Sequence, residues 1–184
     1  MWKGSREFML YNVAQLLKAD VGTSFQADID EERIQLDDDI KVIGPLKGHV
    51  RMRRVNQGLL VDGWVDLTLG LACNRCLKEF EHPMHVAFEE VFYPTVDVVT
   101  GVFLPAFDEE EIFPIDEHHQ VDLTEAVRQN VLLAIPMVTL CREDCPGLCP
   151  QCGHDLSLGP CECQPEVDTR LSILEKLLQN GSQL

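Results

Sequence analysis

The chain has 184 residues, 45% of them hydrophobic and 25% charged, with 12 Gly and 10 Pro. That is one domain's worth of sequence; the balance excludes collagen-like and wholly disordered chains, and no window approaches the roughly 18 unbroken apolar residues of a membrane span. Fifteen Lys and Arg against 31 Asp and Glu leave a formal charge of −16, which repels a phosphate backbone wherever no local basic patch intervenes and favours a basic partner.

Residues 1–17 carry Lys3, Arg6 and Glu7 and lack the apolar run of a secretory signal, so the expected location is the cytoplasm. Val13, Leu16 and Leu17 recur at helical spacing, predicting a short helix over 12–18 that Gly22 ends. Residues 24–29 alternate weakly, and 34–39, with Asp37, Asp38 and Asp39, read as a solvated loop or turn. From Lys41 the pattern is that of strands. Period two over 47–54 places Lys47, His49, Arg51 and Arg53 on one face and Val50 and Met52 on the other. Over 59–71, Leu59, Val61, Val65, Leu67, Leu69 and Leu71 share a face, opposite Asp62, Trp64, Asp66 and Thr68.

Gln57-Gly58 is the expected two-residue hairpin turn, which sets Arg53 opposite Asp62, Arg51 opposite Trp64, His49 opposite Asp66 and Val50 opposite Val65. In that register the basic stripe is mostly paired across strands. Its alternative use is nucleic-acid contact, with Lys47, Arg51, Arg53 and Arg54 as the candidate RNA-binding residues. A third strand is predicted over 80–93, with Met84, Val86 and Phe88 on one parity, returning antiparallel to its neighbour. Between Lys78 and Arg128 there is no Lys or Arg while 13 Asp and Glu accumulate, including the run 108–111. Such a run is a solvated loop or a surface that selects a basic protein. Asp122-Leu-Thr-Glu125 has the form of a capping box and opens a helix near 122–134, stopped by Pro136. A last helix is predicted over 168–179, from an Asp168 N-cap through Leu171, Leu174, Leu177 and Leu178.

The eight cysteines are Cys73, Cys76, Cys141, Cys145, Cys149, Cys152, Cys161 and Cys163. Four close pairs in a reducing compartment read as metal ligands before disulfides, and eight thiolates complete two tetrahedral Zn2+ shells. Cys149-Pro-Gln-Cys-Gly153 has zinc-knuckle form, with Gly153 permitting the tight turn after the second ligand. The low closure entropy of a short loop favours Cys149, Cys152, Cys161 and Cys163 on one ion and Cys73, Cys76, Cys141 and Cys145 on the other. Crossed pairing of Cys73/Cys76 with Cys149/Cys152 is also geometrically allowed. Closed thiolate shells leave no position for water, so the expected role of both ions is structural. His154, beside the knuckle, is a spare donor, and His118-His119 is a weaker candidate on an exposed loop. No HExxH, P-loop, G-x-S-x-G or dinucleotide fingerprint occurs; the expectation is a protein that is not an enzyme and has no small-molecule substrate.

The segments Leu71-Ala-Cys-Asn-Arg-Cys-Leu-Lys-Glu-Phe80, Glu89-Glu-Val-Phe92, Leu132-Leu-Ala-Ile-Pro-Met137, Leu140-Cys-Arg-Glu-Asp-Cys-Pro-Gly-Leu-Cys-Pro-Gln-Cys-Gly153 and Asp168-Thr-Arg-Leu171 together resemble the YceD family. These are bacterial and plastid proteins, also called large ribosomal RNA subunit accumulation proteins, and the likeness runs over roughly residues 10–180. It implies a role in accumulation of large-subunit ribosomal RNA and in ribosome assembly. Genes of the family often neighbour that of a small basic large-subunit ribosomal protein, which implies such a protein, or pre-ribosomal large-subunit RNA, as partner.

The expected architecture is α+β: a single domain over 8–181 with a mainly antiparallel, barrel-like sheet and two or three helices. It divides into a β-rich body over 8–140, a Cys-rich zinc knuckle over 141–165 and a terminal helix over 168–179. The expected function is a non-enzymatic zinc-binding assembly factor without membrane attachment; the alternative is a redox-sensitive, chaperone-like zinc switch.

Overall fold

The computed structural model describes residues 9–32, 34–37, 40–105 and 113–163. The helix read over 168–179 and the acidic run 108–111 lie outside them. Seven strands form one sheet: β1 (Leu10–Asn12), β2 (Ser24–Glu31), β3 (Lys41–Val55), β4 (Gly58–Ala72), β5 (Glu79–Pro94), β6 (Phe113–Ile115) and β7 (Gln120–Asp122), in the order β1-β7-β6-β5-β4-β3-β2. Neighbours are antiparallel except β5 and β6, which run parallel. The sheet curls into a half-barrel; the Tyr11 hydroxyl on edge strand β1 lies 3.5 Å from the Asp28 carbonyl on the opposite edge strand β2.

The concave face is the one that period two marks as apolar. Val50, Met52, Val61, Val65, Leu67, Leu69, Val86 and Phe88 are all buried there. Two helices close the core: α1 (Ala14–Lys18) through Leu16 and Leu17, and α2 (Thr124–Ala134) through Ala126, Val127 and Val131. Polar bonds fix the seat of α2, with Asn130 donating to Glu90 of β5 at 2.8 Å and Arg128 to the Leu36 carbonyl at 3.0 Å.

Two local expectations are corrected. The β3–β4 turn is Asn56-Gln57, with Val55 opposite Gly58, so Arg51 faces Asp62, His49 faces Trp64 and Val50 faces Gly63. Gly58 is no turn residue and does not take positive φ; it starts β4 where a Cβ would run into the Phe92 carbonyl of β5. The shift is two residues, so every side chain keeps its predicted face. At the start of α2, Asp122 accepts from the Thr124 N–H at 2.8 Å, but Glu125 does not reach back as a capping box requires. It is held by Arg128 at 2.8 Å and Gln129 at 2.9 Å, partners three and four residues on.

The close approach at Gly58 sets a stability prediction. Gly58→Val forces a side chain into fixed backbone and is expected to lower the unfolding free energy by about 2–3 kcal/mol. Gly70→Ala meets the flexible end of Ile43 at 3.2 Å and Lys41 at an ordinary 3.6 Å, and is expected to cost less than about 1 kcal/mol. Urea unfolding of the two variants measures the difference.

Candidate metal centres

The first thiol set is built on the β4–β5 connection. β4 ends at Ala72 and β5 begins at Glu79, so Cys73 and Cys76 sit in the tight turn between two long strands. Cys141 and Cys145 arrive on the segment after α2, which is strapped to that turn: the Asn74 N–H donates to the Thr139 carbonyl at 2.8 Å, and Thr139 Oγ1 lies 2.7 Å from both the Ala72 carbonyl and Asn74 Oδ1. The four sulfurs lie within 4.8 Å of one another. Cys73 and Cys145 are 3.7 Å apart and Cys76 and Cys141 3.8 Å. An ion with sulfurs at about 2.3 Å in a tetrahedron separates them by about 3.8 Å, whereas a disulfide needs about 2.05 Å. Cys73, Cys76 and Cys145 are buried, with Phe80, Leu140 and Leu148 packed against them.

Cys149, Cys152, Cys161 and Cys163 form the second set, also within 4.8 Å of one another. Here Cys149 is buried, Cys161 and Cys163 are half-buried and Cys152 is exposed. The expected local partition is thus the one the fold assembles. Among the described residues no further group of three or more such donors gathers. His118 and His119 belong to a turn organised by Asp116, which accepts from the His118 and Gln120 N–H groups at 2.9 and 2.7 Å. His154 contributes its carbonyl rather than its ring, accepting from the Cys149 N–H at 2.8 Å.

The two C-x2-C turns are the same turn. In the first, Leu77 N–H donates to the Cys73 carbonyl at 2.8 Å and Cys73 N–H to the Lys78 carbonyl at 2.9 Å; in the second, Gly153 N–H donates to the Cys149 carbonyl at 2.9 Å and Cys149 N–H to the His154 carbonyl at 2.8 Å. The residue after the second cysteine needs positive φ in both, +60° at Leu77 and +71° at Gly153. Glycine takes this conformation freely and leucine does not. Sequence reasoning found Gly153 but missed Leu77, because a leucine does not signal the turn.

Backbone donors make one thiol of each set acidic. The Cys141 N–H, then those of Cys76 and Arg75, hold the Cys73 thiol down at about 6 against its burial. The Cys152 and Gln151 N–H groups likewise hold Cys149 at about 6. Burial first, and then the neighbouring sulfurs, push Cys141 up to about 12; the Cys152 sulfur first, and then burial, pushes Cys163 up to about 12. Each set therefore pairs one acidified thiol with others, Cys141 and Cys145 in the first and Cys161 and Cys163 in the second, that are held up and that a bound cation would help to ionise.

The second set leans on the first knuckle. Leu148 N–H donates to the Arg75 carbonyl at 3.2 Å, Arg75 donates to the Cys145 carbonyl at 2.8 Å, and Lys78 pairs with Asp155 at 2.5 Å. Asp155 also caps the short 3-10 turn Leu156–Leu158. The Lys78 ammonium, followed by Ser157, holds the Asp155 carboxyl below the usual carboxylate range.

The candidate RNA-binding residues do not form one free patch. Arg51 grips Asp62 with contacts of 2.7–3.2 Å, and Arg53 reaches the same carboxylate at 3.4 Å. Lys47 lies in register between Asp30 and Asp66. His49 pairs with Asp28 at 2.9 Å and His85 with Asp66 at 2.6 Å, beside Trp64. Arg54 has the opposite parity and donates to the Val55 carbonyl and, at 2.9 Å, to the Gly58 carbonyl.

Two predictions follow from the thiol sets. Leu77→Gly relieves the left-handed leucine, and its side chain is 68% exposed, so little packing is lost. The variant is expected to be neutral or up to about 1 kcal/mol more stable, where a leucine-to-glycine change elsewhere destabilises; thermal unfolding decides. Cys149→Ser/Cys152→Ser is expected to reduce bound metal from two ions per chain to one with the circular dichroism spectrum kept, whereas Cys73→Ser/Cys76→Ser is expected to lose the cooperative transition.

The profile of the family described as "Large ribosomal RNA subunit accumulation protein YceD" matches residues 61–178. An uncharacterized protein of Mycobacterium tuberculosis is 34% identical over 130 residues, 70% of this chain and 60% of that protein. The uncharacterized protein YlbN of Bacillus subtilis is 26% identical over 181 residues, 96% of this chain and 99% of its own length. The chloroplastic large ribosomal RNA subunit accumulation protein YCED homolog 1 of Arabidopsis thaliana is 27% identical over 146 residues, 66% of this chain and 44% of its own. The chain thus spans about 60% of the length of the mycobacterial relatives. No solved structure matches it. The matched stretch runs from β4 through both thiol sets, and the chain belongs to the YceD family.

Proposed function

We propose that the chain is a non-enzymatic, cytoplasmic zinc-holding factor that supports accumulation of large-subunit ribosomal RNA by binding a basic ribosomal protein, or pre-ribosomal RNA, during assembly. The observation that carries this reading is family membership over the stretch containing both thiol sets. Four soft thiolates in a tetrahedral arrangement suit Zn2+, and a closed shell leaves no coordination position for hydrolytic water. The two ions then act as staples: one joins the β4–β5 turn to the segment after α2, and the other closes the 149–163 module. Between the two partner classes, the charge of −16 and the pairing of Arg51 and Arg53 with Asp62 favour the basic protein. No helix among the described residues is long and apolar enough to cross a membrane.

A second reading, a redox-sensitive zinc protein, draws on the difference between the sets: Cys152, Cys161 and Cys163 of the second are exposed or half-buried, whereas in the first only Cys141 is exposed. Peroxide oxidation of two thiolates to a disulfide would release the second ion and leave the first.

Deletion of the gene is expected to lower the ratio of large- to small-subunit ribosomal RNA at least about twofold. Wild type should restore the ratio and Cys73→Ser/Cys76→Ser should not. An unchanged ratio in the deletion strain refutes the assembly reading; restoration that fails only after peroxide treatment, with loss of one zinc, moves the redox reading forward.

A further inference from the structure

β5 and β6 are parallel, so the chain between them must cross over, and it begins that crossing as a tight hairpin. Val96 and Phe103 bridge across it. Asp97 N–H donates to the Val102 carbonyl and Leu104 N–H to the Thr95 carbonyl, both at 2.9 Å. At the tip, Asp97 Oδ1 accepts from the N–H groups of Val99 and Thr100 and from the Thr100 hydroxyl at 2.7–3.0 Å. Gly101 turns the chain at φ +70° and donates to the Asp97 carbonyl at 2.9 Å. The base is anchored by Thr95, whose hydroxyl donates to the Ile115 carbonyl at 2.8 Å.

The polar groups of this tip are thus turned onto Asp97, and the side chains left facing water are apolar: Val99 is 81% exposed, Val102 62% and Phe103 71%. A solvated turn ordinarily presents polar residues, and a rigid loop that holds two valines and a phenylalanine outward is preorganised for contact. A cavity of about 420 Å3 opens at its base, lined by Leu17, Arg54, Pro94, Val96 and Leu104 among others. The surroundings fix the sign of the partner. Among the described residues between Lys78 and Arg128 there are nine Asp and Glu and no Lys or Arg, and Arg54, at the base of the hairpin, is engaged with the Val55 and Gly58 carbonyls. The hairpin's anchor on Ile115 sets it beside the turn carrying Asp116 and Glu117.

We infer that this hairpin is the docking tip for a basic protein segment that carries apolar residues. RNA and anionic lipid are repelled by the acidic surroundings, and a second copy would bring two chains of −16 together. A cationic segment is steered in by the field and held by burial of Val99, Val102 and Phe103. The inference rests on the assembly-factor reading for the partner's identity, but its geometry does not depend on it.

The test uses the full chain loaded with zinc, a labelled amphipathic helical peptide of leucine and lysine, a labelled all-lysine peptide, a labelled single-stranded RNA, and purified basic ribosomal proteins of the large subunit. The wild type is expected to bind the leucine–lysine peptide in a salt-sensitive manner. Val99→Ser/Phe103→Ser is expected to weaken that binding at least about tenfold, with an unchanged circular dichroism spectrum. Met137→Ser, which alters an apolar residue 98% exposed elsewhere, should leave it unchanged. The inference is overturned if the wild type does not bind this peptide, if the double variant binds it as well as wild type, if RNA competes for the tip, or if the tip proves to mediate self-association in sedimentation. Loss of peptide binding in the double variant, with no ribosomal protein bound even by wild type, would retain the docking tip and refute the ribosomal partner. Ribosomal-protein binding that survives the double substitution would retain that partner and refute the tip.

Discussion

Four sulfurs held within 4.8 Å cannot all carry charge without a cation between them, and this constraint organises the cysteine-rich half of the molecule. Cys73 is acidified by backbone donors while Cys141 is driven up by burial and its neighbours, so a metal-free set is internally opposed. A bound ion converts that opposition into a cross-link between residues 72 positions apart at Cys73 and Cys145 and 65 apart at Cys76 and Cys141. Closing loops of that length in the unfolded chain carries a large entropy loss, and a metal that binds only the folded arrangement offsets it with its binding free energy. The long β4–β5 hairpin is thereby tied to α2, which the apolar core already holds from the other side.

A chain with twice as many acids as bases must place its charges with care. On the convex face of β2 to β5, Asp30, Lys47, Asp66 and His85 form one cross-strand row that alternates acid and base, and Gln26, Arg51, Asp62 and Glu89 form another in which one arginine stands beside two acids. Each exposed pair contributes little on its own, yet Asp62 takes up both Arg51 and Arg53. Further acids stand on β5 (Glu79, Glu81, Glu89 and Glu90), at Asp97 and in the β6–β7 turn (Asp116 and Glu117). The same distribution that engages Arg51 and Arg53 with Asp62 leaves Asp97, Asp116 and Glu117 as the charges nearest in sequence to the Val99–Phe103 tip and its Ile115 anchor.

Faces and ligand sets were legible in the sequence because both follow from short-range rules. Period two set the concave face of β3, β4 and β5, and the proximity of Cys149/Cys152 to Cys161/Cys163 set the partition through loop closure. The hairpin register was not legible, since Gly58 looks like a turn residue and in fact serves a backbone approach from Phe92, a residue 34 positions away that no local pattern reveals. Leu77 hid the equivalence of the knuckles for a related reason: its φ is imposed by the two cysteines it follows, against its own preference. The Asp97 hairpin was missed because Val98-Val99 and Val102-Phe103-Leu104 have the composition of a buried strand. Exposure there is decided by the parallel crossover from β5 to β6, which is a property of topology.

The two thiol sets are not equal partners. The first set is built from the end of β4, the start of β5 and the segment after α2 that Thr139 fixes to their turn. The second set closes within 15 residues of chain and touches the body chiefly through the first knuckle, by Leu148 on Arg75 and Asp155 on Lys78. Arg75 itself donates to the Cys145 carbonyl, so the surface on which the second module rests is shaped by the first set's own ligands. Disruption of the first set should therefore unseat both modules, whereas disruption of the second leaves the Arg75–Cys145 contact intact. The dependence runs one way, from the first set outward, because the second module rests on backbone that the first set's turn provides.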